Sequence, residues 1–187
     1  MAKPTEAWHA EHVYFRQLLK VLQREVDAFL DTGRPNYALM VDIVSYLRRY
    51  TDQYHHRRED VAFLRLAKRC PDMDMLLARL GQEHRVLAHA GEKFLHLLND
   101  AISGTAFRPA EVEAAGATYL VYYKNHINKE ESEVLTRAAE FLTAEDWEAV
   151  RNAVPQGDDP LFGDHPEAHF QELRRRIAQE NNTAVSP

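Results

Sequence analysis

Residues 55–64, HHRREDVAFL, return at 126–135 as HINKEESEVL, and residues 11–19, EHVYFRQLL, return more loosely at 83–91 as EHRVLAHAG. The clearer repeat places a histidine and a glutamate four residues apart twice, as His55/Glu59 and His126/Glu130. That spacing sets both side chains on one face of a helix, one turn apart. Two kinds of segment repeated in the same order predict two similar helical hairpins related by a pseudo-twofold axis.

The surrounding chain reads the same way. Glycine and proline are sparse, at 7 and 8 of 187 residues, and they fall between stretches of helical apolar spacing. The first predicted helix covers about 5–30 and ends before DTGRPN. The second covers about 36–69 and stops at Cys70-Pro71, because a residue before proline resists the α region. The third covers about 72–100, and the fourth starts at Pro109, a favoured first-turn residue, and reaches about 142. TAED at 143–146 has capping-box spacing and opens a short helix to 154; a last helix spans about 167–179 before a polar tail. The expectation is all-α: an antiparallel up-down-up-down four-helix bundle over 1–142, with a C-terminal helical extension and tail at 143–187 in the same domain.

Composition narrows the function. A net charge of −6 without a basic stripe argues against nucleic acid, and the cluster Arg174–Arg176 sits beside acids as a solvated helix face. No apolar run approaches the ~20 residues of a membrane span, and the N-terminal residues do not resemble a signal peptide. Cys70 is the single cysteine, which excludes an intrachain disulfide framework and a thiolate zinc site. The expected location is the cytoplasm. Histidine, at ten residues, is the anomaly.

Spacing alone is weak support for chemistry. Roughly 1.6 His–acid pairs four apart arise by chance at this composition, and the chain has four, counting His56/Asp60 and His96/Asp100. Depth is more telling. At about 1.5 Å per residue, His12 lies about 27 Å before the end of its helix and His55 about 28 Å after the start of the next. His84 and His126 are level in the same sense. Four helices thus contribute one histidine each to a single layer. His84 shares a face with Leu77, Leu80, Leu87 and Leu95, and His12 with Trp8, Phe15 and Leu19. His55 is expected to point inward, and His56, Arg57, Arg58 and Asp60 to belong to a solvated rim. Four imidazoles and two carboxylates are an inventory for two metal ions, and nitrogen and oxygen donors without sulfur suit Fe, Mn or Zn. The competing reading is a buried polar network without metal.

The order His12, His55/Glu59, His84, His126/Glu130 resembles the hemerythrin-like family, also called HHE cation-binding domains, over roughly residues 5–142. YLRRYTDQYHHRREDVAFLRL and the later DDPLFGD are similar to its bacterial members. The resemblance implies a non-haem di-iron centre of the Fe–O–Fe type, ligated by His12, His55, His84 and His126 with Glu59 and Glu130 bridging, and with manganese or zinc as substitutes. It implies a small diatomic or peroxide ligand, and a redox partner if the centre turns over. Oxygen-carrying hemerythrins present a second histidine one turn after the third-helix ligand; here that residue is Ala88, while His89 is expected to face outward. The departure favours oxidation chemistry, reactions with NO or peroxide, or labile iron binding over simple reversible oxygen carriage. The alternative is a non-catalytic oxygen, NO or iron sensor or iron-binding module, although the residues after the fourth helix look too few for an output domain.

Other candidates have plainer readings. His9 fits an exposed helix-start residue better than an added ligand, and His165 and His169 fit the surface. Tyr122 shares a face with His126 and is open to either a site or a core role; Tyr54, Trp8 and Trp147 read as packing residues, and Cys70 as structural.

Overall fold

The computed structural model describes residues 4–31, 34–104, 108–155, 157–163 and 167–183, and no strand occurs among them. Helix α1, Pro4–Asp31, buries Trp8, His12, Phe15, Leu19, Leu22 and Val26. Those steps of three and four residues are the inward stripe of an amphipathic helix. Asn36 starts the next helix by accepting a hydrogen bond from the Leu39 amide at 3.1 Å. Helix α2, Tyr37–Tyr46, runs through a π-helical stretch, Leu47–His55, into α3, His56–Arg69. Cys70 leaves helical geometry ahead of Pro71, as the sequence predicts.

After a 3₁₀ turn at Pro71–Met73, α4 spans Asp74–Ser103 and ends at Gly104, whose φ of +72° is open to glycine at little cost. Helix α5, Pro109–Lys129, carries proline in its first turn and passes through a second π-helical stretch, Glu130–Val134, into α6, Leu135–Phe141. Helix α7, Ala144–Ala153, has the expected capping box, with Thr143 and Asp146 satisfying each other's amides. Helix α8 covers Gln171–Thr183, a few residues past its predicted end. His165 lies outside the described residues.

The second and fourth predicted helices therefore differ from expectation in their interiors. A π turn holds one more residue than an α turn and rotates everything after it. A reading based on a constant 3.6-residue period has no means of seeing that rotation.

Helix α4 packs on α5, α1 on α5 and α6, and α2 and α3 on α4. Helix α7 covers α3, and α8 lies against α1 and α2. Two apolar cores result. One gathers Phe15, Leu19, Leu22, Ile43, Tyr50, Leu87, Tyr119, Tyr123 and Ile127. The other gathers Trp8, Ala62, Phe63, Leu66, Leu77, Leu80, Val134 and Leu135. In three rods the change from one core to the other falls at a histidine, between Trp8 and Phe15 in α1, Tyr50 and Ala62 in the second rod, and Leu80 and Leu87 in α4; in the last it falls between Ile127 and Val134, around Glu130. A buried polar layer separates the cores.

Gly116 allows α5 to approach its neighbours closely, since a Cβ there would lie 2.8 Å from Val26 Cγ2 and 2.9 Å from Phe94 Cζ. Both neighbours are buried and have little room to yield. Replacement by a β-branched residue, Gly116→Val, is expected to destabilise the fold by about 1–3 kcal/mol through overpacking, read as a lower urea midpoint at unchanged slope.

Candidate metal centre

The polar layer brings His12, His55, Glu59, His84, His126 and Glu130 together, each no more than 4% exposed. Groups this polar are costly to bury unless their lone pairs and charges are matched. The two glutamates lie between the histidines. Glu59 directs Oε1 to His55 Nε2 at 3.1 Å and His12 Nε2 at 3.6 Å, and Oε2 to His84 Nε2 at 3.5 Å. Glu130 directs Oε1 to His126 Nε2 at 3.0 Å and His84 Nε2 at 3.3 Å, and Oε2 to His12 Nε2 at 3.4 Å. Each carboxylate thus has one oxygen toward either side of the cluster.

Outer acids orient these rings through Nδ1. His12 pairs with Glu131 at 2.7 Å, His55 with Glu11 at 2.5 Å, His84 with Asp60 at 2.7 Å and His126 with Glu83 at 3.2 Å. A proton held at Nδ1 by a carboxylate leaves the Nε2 lone pair facing inward, the usual support of a metal-bound imidazole. The acids are themselves secured. Glu11 accepts from Arg58 and from the Tyr50 hydroxyl, and Glu83 accepts from Lys129. Burial opposes ionisation of Glu11, but His55 and Arg58 outweigh it and hold the carboxyl near 2. The hydrogen bond from His126, aided by Lys129, holds Glu83 near 2 as well.

Protons alone do not complete the layer. Both oxygens of Glu59, Oε2 of Glu130 and Nε2 of His126 are buried without a hydrogen-bond partner. The Nε2 atoms of His12 and His55 stand only 3.0 Å apart. Separations of about 3 Å are those of neighbouring donors on one ion with bonds of about 2.1 Å. Donor atoms of His12, His55 and Glu59 all lie within 4.8 Å of one another, and so do those of His56, Glu59, His84 and His126. The donor set and its unsatisfied atoms fit a pair of cations.

The structure corrects several expectations. His56 is buried at 4% exposure, stacked on His84 with ring centroids 4.2 Å apart, and not on a rim. Arg58 is buried against Glu11, whereas Arg57 is exposed and Asp60, its side chain 46% exposed, keeps to the rim while orienting His84. The π stretch ending at His55 turns both His55 and its successor inward. Tyr122 is 52% exposed and stands outside the cluster, whereas its neighbour Tyr123 is buried. His9 is exposed as expected and bonds Glu131 at 2.8 Å; His89 is exposed, as are His96 and His169. Trp8 and Trp147 pack edge to face at 5.2 Å, Cys70 is a buried free thiol, and Tyr54 packs partly buried against the larger core.

The outer acids escaped the sequence reading, yet a signal for them exists. The acid before each first-helix histidine, Glu11 or Glu83, orients the histidine of the following helix, His55 or His126. The acid after each inner glutamate, Asp60 or Glu131, orients a histidine of the other hairpin, His84 or His12. The duplicated unit is therefore EH followed by HxxxE and one further acid.

Burial alone would lower the pKa of His12, but Glu131, Glu59 and Glu130 outweigh it and raise it to about 10. Asp60 and Glu130 likewise overcome burial and raise His84 to about 9. Both rings carry a proton at neutral pH without metal and must release it to ligate. A raised histidine pKa stabilises fully below the unfolded value near 6.5 and loses that stabilisation as pH climbs through the folded value. Metal-free protein is therefore expected to unfold at progressively lower urea from about pH 7 to pH 10. Metal uptake at pH 7 should release protons from both rings, measurable in a pH-stat.

The family model described as Hemerythrin HHE cation binding domain matches residues 3–138. No curated protein and no solved structure matched the chain. The matched segment contains all six histidines and glutamates of the layer and most of the helical core, so the chain belongs to the hemerythrin HHE cation-binding domain family.

Proposed function

We propose that the protein is a non-haem di-iron protein that binds or reacts with O2, NO or peroxide, with His12, His55, His84 and His126 as ligands and Glu59 and Glu130 bridging. The observation that carries this reading is the placement of the glutamates: each sends one oxygen toward either half of the cluster, with Glu59 wholly unpartnered by hydrogen bonds. Two bound iron ions would supply redox chemistry and an open coordination position for a small ligand. Manganese or zinc would fit the same donors.

The chain's own groups do the rest. The Nδ1 protons of His12, His55, His84 and His126 are held on Glu131, Glu11, Asp60 and Glu83, which fixes where each Nε2 points. Phe15 lies edge-on to His55 at 4.9 Å, Phe63 stacks on His84 at 5.7 Å, and Trp8 stands 6.3 Å from His55. These rings exclude bulk water, admit small uncharged molecules more readily than large polar ones, and strengthen electrostatic interactions inside the layer.

An antiparallel up-down-up-down four-helix bundle is the architecture this site requires. Supporting it are the short connections between the long rods and the packing of α1, α2–α3, α4 and α5–α6 against one another. The extension belongs to the same domain on this account, since α7 packs on α3 and α8 on α1 and α2. No described helix is long and apolar enough to cross a membrane, in keeping with a cytoplasmic location.

Anaerobic reconstitution followed by iron analysis and absorption spectra, before and after O2, NO and peroxide, tests the reading. About two iron per chain with spectral changes on ligand addition is expected. Recovery over many cycles marks turnover, and reversible stoichiometric binding marks carriage or sensing. Glu59→Ala and Glu130→Ala should each lose at least half of the iron with helical circular dichroism unchanged. Full iron in both variants would exclude bridging roles.

A further inference from the structure

The two halves of the layer differ in one residue. Among the histidines of the layer, four come from matching positions of the repeated hairpins, and the fifth, His56, has no counterpart. The position after His126 is Ile127, which is buried in the larger apolar core. His56 nevertheless also has an acid behind it, at ion-pair distance and without the hydrogen bond that the other four make. Its Nδ1 stands 3.3 Å from Asp52 Oδ1, on an acid whose other oxygen lies 3.9 Å from Arg48 Nε. Its ring is 4% exposed, stacks on His84 at 4.2 Å and 11°, and meets His126 edge-on at 5.5 Å and 84°. One of its nitrogens is within 4.8 Å of donor atoms of Glu59, His84 and His126.

An imidazole serving only to fill space would need no acid at its back and no place among unpartnered donors. We propose that His56 is a metal ligand, the third nitrogen donor to the ion held by His84 and His126. The inference rests on the two-metal reading of the layer and adds an asymmetry to it. One ion would be held by His56, His84 and His126 and the other by His12 and His55, with Glu59 and Glu130 available to both. The nitrogen missing at Ala88 on α4 is thereby supplied from α3.

Cobalt(II) loaded into the full-length protein provides the test without a substitution. Four of these rings hold their Nδ1 on an acid by hydrogen bond and His56 Nδ1 faces Asp52 at 3.3 Å, so each ring that ligates through Nε2 gives one solvent-exchangeable, hyperfine-shifted N–H resonance. Five such resonances from the wild-type chain are expected, and four would overturn the inference. In competition titrations, His56→Gln should weaken one of the two ions at least about tenfold and leave the other unchanged. The exposed control His89→Gln should change neither. Two ions bound by His56→Gln with wild-type affinities would also overturn it. Failure of the wild-type chain to bind two ions under any anaerobic loading would instead remove the two-metal reading, and this inference with it.

Discussion

Two buried carboxylates between buried imidazoles are the constraint on which the molecule depends. Glu59 and Glu130 are each at most 1% exposed, between apolar cores built on Phe15, Leu22 and Tyr119 on one side and Phe63, Leu66 and Leu80 on the other. Such a layer is unfavourable unless every group in it is matched. Imidazoles surround the carboxylates, outer acids hold the imidazoles, and Arg58 and Lys129 hold two of the outer acids. Metal-free protein can meet part of this demand with protons, as the raised pKa values of His12 and His84 indicate. Bound cations would meet it more completely, by engaging the buried glutamate oxygens left without a hydrogen bond.

The layer is also tied to the C-terminal segment. Asp159 accepts from the Tyr46 hydroxyl and from the amides of Leu161 and Phe162, and Phe162 stacks on Tyr14 at 4.3 Å. Tyr46 stacks in turn on Tyr50, whose hydroxyl donates to the acid that orients His55. Residues 157–163 therefore buttress one wall of the site.

Much of this was legible because depth and face follow from constant helical rise. His12, His55, His84 and His126 could be placed level by counting residues to the helix ends, and the structure does bring them together with both glutamates. Pro71, Pro109 and the Thr143/Asp146 cap marked boundaries through purely local chemistry. What was not legible depends on departures from that rise. A π stretch ending at His55 turns both His55 and His56 inward, and a fixed period can assign only one of two adjacent residues to a face. Arg58 was misread for a related reason. A charged residue looks solvated in sequence until its partner from another helix, here Glu11, is known. Tyr122 failed in the opposite sense: its spacing from His126 was right, yet the ring lies outside.

Anomalous diffraction from crystals of anaerobically iron-loaded protein, recorded on either side of the iron absorption edge, tests the central claim most directly. Two iron peaks about 3.5–4 Å apart are expected, both inside the histidine–glutamate layer with Glu59 and Glu130 spanning them. A single peak, or iron bound only at surface acids while the layer stays empty, would contradict it.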